Sequence, residues 1–284
     1  MKLAVLILAN DEICVCSRCI ADGRSSSYTN MVKACRETWA AADEETEVFY
    51  IYGHRDGIKF PVDTPTIKSN ERYWPNGGAG DGFLPVDITE KLAPFAIDDC
   101  IYSDTPEGRE NIYYKTIDGF KWLLENIEFD YVLRTNCGTY VDLEILKQNL
   151  KNIGVKDNLY GGSTEHYNNS HNPHQPSIIK FASGSAFLAS RNLIKDLVDN
   201  RNKVDLVCSP YASKTISDDV TFAKRFIYDK NADFITWHRE DITNLQQISS
   251  RVKDMIQCYY GHTINPDLIY ETHRLKLSAR STRS

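Results

Sequence analysis

The sequence predicts an α/β fold: a mixed, mainly parallel sheet flanked by helices, within one domain. Three observations carry this reading. Short apolar or β-branched runs alternate with helix-periodic segments along the whole chain. The first three segments run strand, helix, strand, the order of a crossover unit whose strands lie parallel. The length, 284 residues, suits one large core better than two independent ones.

Taken in order, the apolar run LAVLIL, Leu3 to Leu8, reads as a buried strand, too short to cross a bilayer. Tyr28 to Ala41 is helical in pattern, with Met31, Ala34, Cys35 and Thr38 on one side, and EVFYIY, Glu47 to Tyr52, is a second strand closed by Gly53. Regularity stops from Asn70 to Phe95, where Gly77, Gly78, Gly80 and Gly82 lie between Pro75 and Pro85; a loop of this length is a candidate lid or a surface insertion. A short strand near Cys100 to Tyr102 precedes a helix over Asn111 to Asn126. Its stripe is Tyr113, Ile117, Phe120, Leu124 and Ile127, and Glu107 and Glu110 stand near its positive end.

That helix delivers the chain into the strand FDYVLRT and the turn Asn136-Cys137-Gly138; Asp142 then caps a helix from Leu143 to Asn152. A His- and Asn-rich loop, EHYNNSHNPHQP, separates Tyr160-Gly161-Gly162 from the strand and turn IIKFASGSAFLAS, which leads into a helix from Arg191 to Asn200. SDDVTFAKRF, the strand ADFITWH and a helix from Asn244 to Ile256 follow, and the basic end of the chain reads as a frayed tail.

Charge and composition exclude some classes of partner. A net charge of −6 and a pI near 5.7 give no broad basic field, so nucleic acid is not the expected partner. No segment is long and apolar enough to span a membrane, and a cytoplasmic location is the expectation. The eight cysteines then read as reduced thiols; Cys14, Cys16 and Cys19 come nearest to a metal pattern, with Cys35 as the only nearby fourth ligand, but paired C-x₂-C knuckles are lacking.

Six separate segments point to one family. Arg36-Glu37-Thr38-Trp39 resembles an R-x-T-W motif, Glu110 to Thr116 with Gly119 to Trp122 an N-L-T-x-K-T helix ending in K-W, and Tyr131 to Val141 a strand Y-x-L-R/K-T-D-D-D-T-F-V. Phe181 to Ser190 resembles Y-x-S-G-G-G-Y-V-L-S, Ser217 to Thr221 an acidic D-D-V block, and His238 with Asn244 to Gln247 the stretch H-L-E-N-L-Q-Q. All six belong to the β-1,3-galactosyltransferase and Fringe-like glycosyltransferases, family 31, and appear here in that family's order over roughly Leu3 to Ile248. The resemblance implies a GT-A fold, with a nucleotide-binding half over 1–142 and an acceptor and catalytic half over 143–275, followed by a flexible tail at 276–284. It also implies inverting transfer of a sugar from a nucleotide-diphosphate sugar, UDP- or GDP-linked, to a glycan acceptor.

Such a transfer needs a base for the acceptor hydroxyl and positive groups for the departing diphosphate. The resemblance makes Asp219 the base and Asp218 its support, since a neighbouring carboxylate raises a pKa towards the working range. Read without it, Ser217-Asp218-Asp219 is also an ordinary helix start. On the donor side it implies Ala9 and Asn10 at the end of the first strand, with Arg36, Lys115, Arg134, Asn136 and His238. Ser183, Gly184 and Ser185 face the sugar or acceptor, and Trp74 and Trp237, which flank loops as Tyr73 does, are aromatic candidates for stacking on it. Trp39 and Trp122 read as core. His171 and His174 read as loop polar residues.

The family's D-x-D motif holds a divalent cation with help from a later His, which His238 matches, but Asn136-Cys137-Gly138 carries no acid. Three readings stay open: a metal-independent enzyme with cationic side chains on the phosphates and no cofactor; a weak Mn²⁺ or Mg²⁺ site completed by an acid such as Asp142; and a non-catalytic protein that binds a sugar nucleotide or glycan.

Overall fold

The computed structural model of the chain describes residues 1–10, 28–54, 59–61, 83–85, 95–107, 111–168, 178–207, 216–248, 252, 254–260 and 265–281. Its centre is an eight-stranded sheet in the order β11-β9-β10-β7-β1-β2-β6-β5. The strands are β1 (Leu3–Leu8), β2 (Thr46–His54), β5 (Phe95–Ile97), β6 (Cys100–Pro106), β7 (Tyr131–Asn136), β9 (Leu159–Asn168), β10 (Ile178–Ser190) and β11 (Asp233–Thr236). Pairs β7/β1, β1/β2, β2/β6 and β9/β11 are parallel, while β10 runs antiparallel to both neighbours and β5 antiparallel to β6. The mixed, mainly parallel sheet expected from the sequence is therefore present, and strands from both sides of residue 142 share it.

Helices α1 (Tyr28–Glu37), α2 (Ile112–Asn126), α3 (Leu143–Ile153), α4 (Arg191–Asp199), α5 (Asp218–Ala223) and α6 (Pro266–Ser281) accompany the sheet. Two short strands, β3 (Lys59–Pro61) and β4 (Phe83–Pro85), pair antiparallel with each other. A small second sheet has the order β12-β13-β8, from Arg239–Asp241, Gln257–Tyr259 and Thr139–Val141.

The core divides into two clusters, one on each face of the sheet, because β1 is apolar at every position and covered on both sides. Met31, Ala34 and Cys35 of α1 join the first cluster with Trp39; Tyr113, Ile117, Phe120 and Leu123 of α2 join the second, where Trp122 packs against Phe49 at 5.0 Å. At Gly119 an added Cβ would stand 2.7 Å from the Ile51 Cδ1 methyl and 2.8 Å from a Leu6 Cδ methyl, so α2 lies close to the sheet here and a side chain would make those methyls shift.

Helix α5 has six residues, too few to be stable alone, and continues as a π-helical stretch over Lys224–Asp229. Tertiary packing holds it: Phe222 is fully buried, with ring centroids of Tyr113, Phe187 and Phe120 at 5.3, 5.7 and 6.0 Å. This aromatic nest fixes the helix that starts with the two adjacent acids.

Three expectations are corrected. Among the described residues from Asn244 to Ile256 there is no α-helix: Leu245–Gln247 form a 3₁₀ turn, Val252 and Asp254 are 3₁₀ as well, and Gln257–Tyr259 form a strand against β8. The end of the chain is not frayed from residue 276, because α6 runs through Ser281 and buries Lys276 and Ala279. Finally, β9 extends through Asn168, so the polar segment begins as strand. The glycine-rich segment sampled by Tyr73 and Trp74, His171 and His174, and Cys14, Cys16 and Cys19 lie outside the described residues; Cys35, Cys100, Cys137 and Cys258 are buried free thiols.

Candidate active site

The site grows from an irregularity in β10. Between the pairs Ala182–Thr164 and Phe187–Gly162, β10 has Ser183, Gly184, Ser185 and Ala186 where β9 has Ser163 alone. The surplus residues bulge out of the sheet, as bulges beside functional sites do. Towards β7 the bulge is tied by Thr135 Oγ1 and Thr139 Oγ1, which donate to the Ser185 carbonyl at 2.7 and 3.0 Å. These two threonines flank the Asn136 turn, so the bulge and that turn form one unit.

The two acids of α5 meet the same bulge. The Gly184 N–H donates to Asp219 Oδ2 at 3.0 Å, and the Val220 N–H to Asp219 Oδ1 at 2.9 Å. Asp218 pairs with Arg134, whose other terminal nitrogen donates to the Gly184 carbonyl. Arg134 is 3% exposed and Asp218 15%, so this ion pair is largely desolvated; Arg134 Nε has no partner among the described residues. Burial pushes the Asp219 carboxyl up to about 7, and the Asp218 charge pushes the same way; the Gly184 N–H, Arg134 and the Val220 N–H pull against them. A carboxyl placed there is half ionised near neutral pH, as a general base requires.

Space at Gly184 is tight: an added Cβ would lie 3.0 Å from Asp219 Oδ2 and 3.3 Å from Arg134 Nη1, so both groups would have to give by a few tenths of an ångström. Gly184→Ala is expected to push the carboxylate and guanidinium apart and to cost about 1–3 kcal/mol of stability, the usual range for overpacking. Urea denaturation checks this; a loss under about 0.5 kcal/mol, no more than an ordinary surface substitution, would show that the bulge yields freely.

The turn that lacks acids is occupied in another way. Asn136 Oδ1 accepts from the Gly138 N–H at 3.0 Å and shares the Thr139 hydroxyl proton, also at 3.0 Å, with the Ser185 carbonyl, so the side chain builds the turn. Cys137 is buried and its thiol is pushed up to about 12 by burial, which removes the thiolate a soft metal would need. Asp142, the acid considered for a weak cation site, is buried against Lys276, is also paired with the half-buried Arg280, and caps α3 by accepting from the Ile145 N–H at 3.1 Å. These donors do not fit a hard divalent cation.

The donor-side cations are scattered and mostly paired. Lys115 is buried, its Nζ donating to the Ala9 carbonyl at 3.2 Å and to Glu107 at 2.6 Å, while Glu107 also accepts from the Gly53 N–H at 2.8 Å. This latch joins the ends of β1 and β2 to α2. Arg36 lies two strands from β7, over the Tyr50 ring at 4.3 Å and bonded to both oxygens of Asp99 at 2.8 and 2.7 Å. His238 is 69% exposed, with Glu240 at 3.7 Å. Asn10 follows the end of β1. Trp237 is buried and donates its indole N–H to Gln257 at 2.8 Å, so its ring belongs to the core, not to an open stacking platform.

Sequence reasoning missed Arg239, Gln257 and Glu165. Arg239 Nη1 donates to Ser183 Oγ at 2.6 Å, Ser185 Oγ at 3.2 Å and Glu165 at 2.8 Å. Gln257 Nε2 donates to Ser185 Oγ at 2.7 Å. The only available signal was the position of Arg239 directly after His238.

Fold and site together define an α/β protein with a buried acid–arginine cluster on a bulged antiparallel strand beside parallel ones. No protein-family model matches the chain, and no curated protein does. Among solved structures, it is similar to a glycosyltransferase involved in the glycosylation of the major capsid of PBCV-1, at 11% identity and a TM-score of 0.34 over 61% of this chain and 82% of that one. It is also similar to the galactosyltransferase LgtC in complex with donor and acceptor sugar analogs, at 13% identity and a TM-score of 0.43 over 98% of this chain and 96% of that one. Identities and TM-scores this low leave the functional reading to the site itself. No helix among the described residues is long and apolar enough to cross a membrane.

Proposed function

We propose that the protein is an inverting glycosyltransferase that moves a sugar from a nucleotide-diphosphate sugar, UDP- or GDP-linked, to a hydroxyl of a glycan acceptor. The observation that carries the reading is Asp219: a buried carboxyl raised to about 7, beside a second acid and an arginine, against a bulge that reaches the Asn136 turn. The six motifs in family order support the same assignment at the level of sequence.

In this reading Asp219 accepts the proton of the acceptor hydroxyl as that oxygen attacks the anomeric carbon. The bond from that carbon to the diphosphate oxygen breaks, and the nucleoside diphosphate leaves with the electron pair. Attack opposite the leaving group inverts the anomeric centre. Asp218 and Arg134 hold the carboxyl in place, and Ser183, Gly184 and Ser185 border the reacting centre. Lys115, from α2 and bonded to the Ala9 carbonyl just past β1, is assigned in this reading to the phosphates.

The test is consumption of UDP- and GDP-sugars in the presence of a panel of glycan acceptors, with product anomers read by NMR. Released nucleotide and an inverted product support the proposal; a bound donor left intact with every acceptor overturns it. A second reading, a protein that binds the sugar nucleotide or glycan without turnover, is favoured by one observation: Arg36, Lys115 and Arg134 each already face a carboxylate. The same assay separates the two.

Turnover is expected to survive EDTA with less than a twofold change, because Asn136 and Asp142 are engaged elsewhere and burial keeps the Cys137 thiol protonated. Loss of activity on chelation and recovery with Mn²⁺ would require a cation held by other groups.

A further inference from the structure

We propose that Arg239 is a positioning residue for Asp219: together with Gln257 it clamps the Ser183-Gly184-Ser185 bulge, and so fixes the peptide N–H that orients the Asp219 carboxylate. The proposal deepens the reading of Asp219 as the base, and its test does not depend on turnover.

Three strands converge on the clamp. Arg239 comes from β12, Gln257 from the neighbouring β13 and Ser185 from β10, so the small sheet is stitched to the large one at the bulge. Ser185 Oγ accepts from Arg239 and Gln257 and donates to Ser183 Oγ at 3.0 Å; Ser183 Oγ accepts from Arg239 as well. With both serine hydroxyls held on one side, the Gly184 N–H between them points to Asp219 on the other. Trp237 fixes Gln257 in turn by donating to its Oε1, which leaves the Gln257 amide NH₂ aimed at Ser185.

Arg239 does not itself serve as an anion site. Its guanidinium already faces Glu165 at 2.8 Å and Asp241 at 2.7 and 3.2 Å, with the Tyr259 ring at 5.2 Å. These two acids, with side chains 41% and 60% exposed, hold the fork in a fixed orientation and remain solvated if it is removed. One terminal nitrogen, Nη1, meets both hydroxyls, while Nε and Nη2 are held by Asp241, so the planar group is fixed on the side away from the bulge, which a flexible lysine ammonium does not reproduce.

The groups facing Asp219 are Asp218 on its own helix, Arg134 on β7, the Tyr160 phenol on β9 and the Gly184 and Val220 amides. Of these, the Gly184 amide is the one Arg239 governs, and its hydrogen bond favours the ionised carboxylate. Slackening the bulge therefore raises the Asp219 midpoint.

The experiment is a carboxyl ¹³C NMR titration of the full-length protein, with the Asp219 signal assigned by its absence in Asp219→Asn. In Arg239→Met the midpoint is expected to rise by about half a pH unit or more, roughly a threefold change in the proton equilibrium. Arg239→Lys is expected to recover part of the shift, and Ser183→Ala, which removes the shared acceptor without changing any charge, to reproduce it. If Arg239→Met does not fold, Ser183→Ala decides alone. A midpoint unmoved in a folded variant overturns the proposal, because a purely structural arginine would alter stability only. Should the wild type turn over no sugar, the transfer reading fails while the titration still gives its answer.

Discussion

Asp219→Asn is expected to lower the turnover of sugar donor by about 10²–10⁴-fold, the usual contribution of a positioned base, with little change in donor affinity. The variant keeps one carbonyl oxygen for the Gly184 N–H but accepts no proton. In the wild type the rate should rise with pH to a midpoint near 7, where the carboxyl ionises, and level off above it. Stability gives an independent reading with the opposite sign. The folded carboxyl titrates well above the ordinary carboxylate range, so the native state holds its proton more tightly than the unfolded chain does. The resulting stabilisation is complete below about pH 4 and is lost as pH rises through about 7, at up to about 1.4 kcal/mol per pH unit. Asp219→Asn lacks that group, so its stability relative to the wild type should grow steadily across the window. Parallel stability curves for the two proteins from pH 4 to 8 would show that Asp219 titrates as an exposed carboxylate and is no base for neutral chemistry.

What sequence made visible depended on where the physical cause was written. Strand β1 and helix α2 were legible because each is built by its own apolar spacing, and Asp142 because a cap acts within one turn. The segment from Asn244 to Ile256 misled because Leu245, Ile248, Val252 and Ile256 recur at helical spacing. Leu245 is nevertheless exposed, and the chain turns instead to deliver Gln257 to the β8 edge. The acids of α5 were visible through motif order, but their partners were not. Arg134 lies 84 positions from Asp218, and Arg36 lies 63 from Asp99. A cation in a sequence declares its charge, not the carboxylate that folding sets against it, which is why residues expected to face phosphate turned out to be paired within the protein. Arg239 was hidden for the same reason: β12 is three charged residues with no apolar period, and its role appears only where β10 bulges towards it.

Asp142→Ala is expected to destabilise the protein by about 3–5 kcal/mol, the range seen when one member of a buried ion pair is removed. Asp142 and Lys276 are each 1% exposed and stand 3.1 Å apart, with Arg280 donating to Asp142 at 2.7 Å. Without the carboxylate, the Lys276 ammonium loses its buried counter-charge while still donating to the Met255 carbonyl at 2.5 Å, and helix α3 loses its cap. This pair is also the reason the chain end was misread. The buried face of α6 starts with the fully buried Leu268 and Ile269, but towards its end it carries Thr272, Lys276 and Ala279, a stretch with little apolar signal that composition reads as a solvated tail. That end is anchored by charge. Asp142→Asn should be milder than Asp142→Ala, because its amide oxygen still caps Ile145, and Lys276→Met should recover stability when added to an Asp142→Leu background, since two apolar groups leave no buried charge unpaired. Urea denaturation of the two singles and the double measures the coupling directly. If Asp142→Ala costs less than about 1 kcal/mol, the value of an exposed pair, then α6 is held by its apolar contacts and the acid is dispensable.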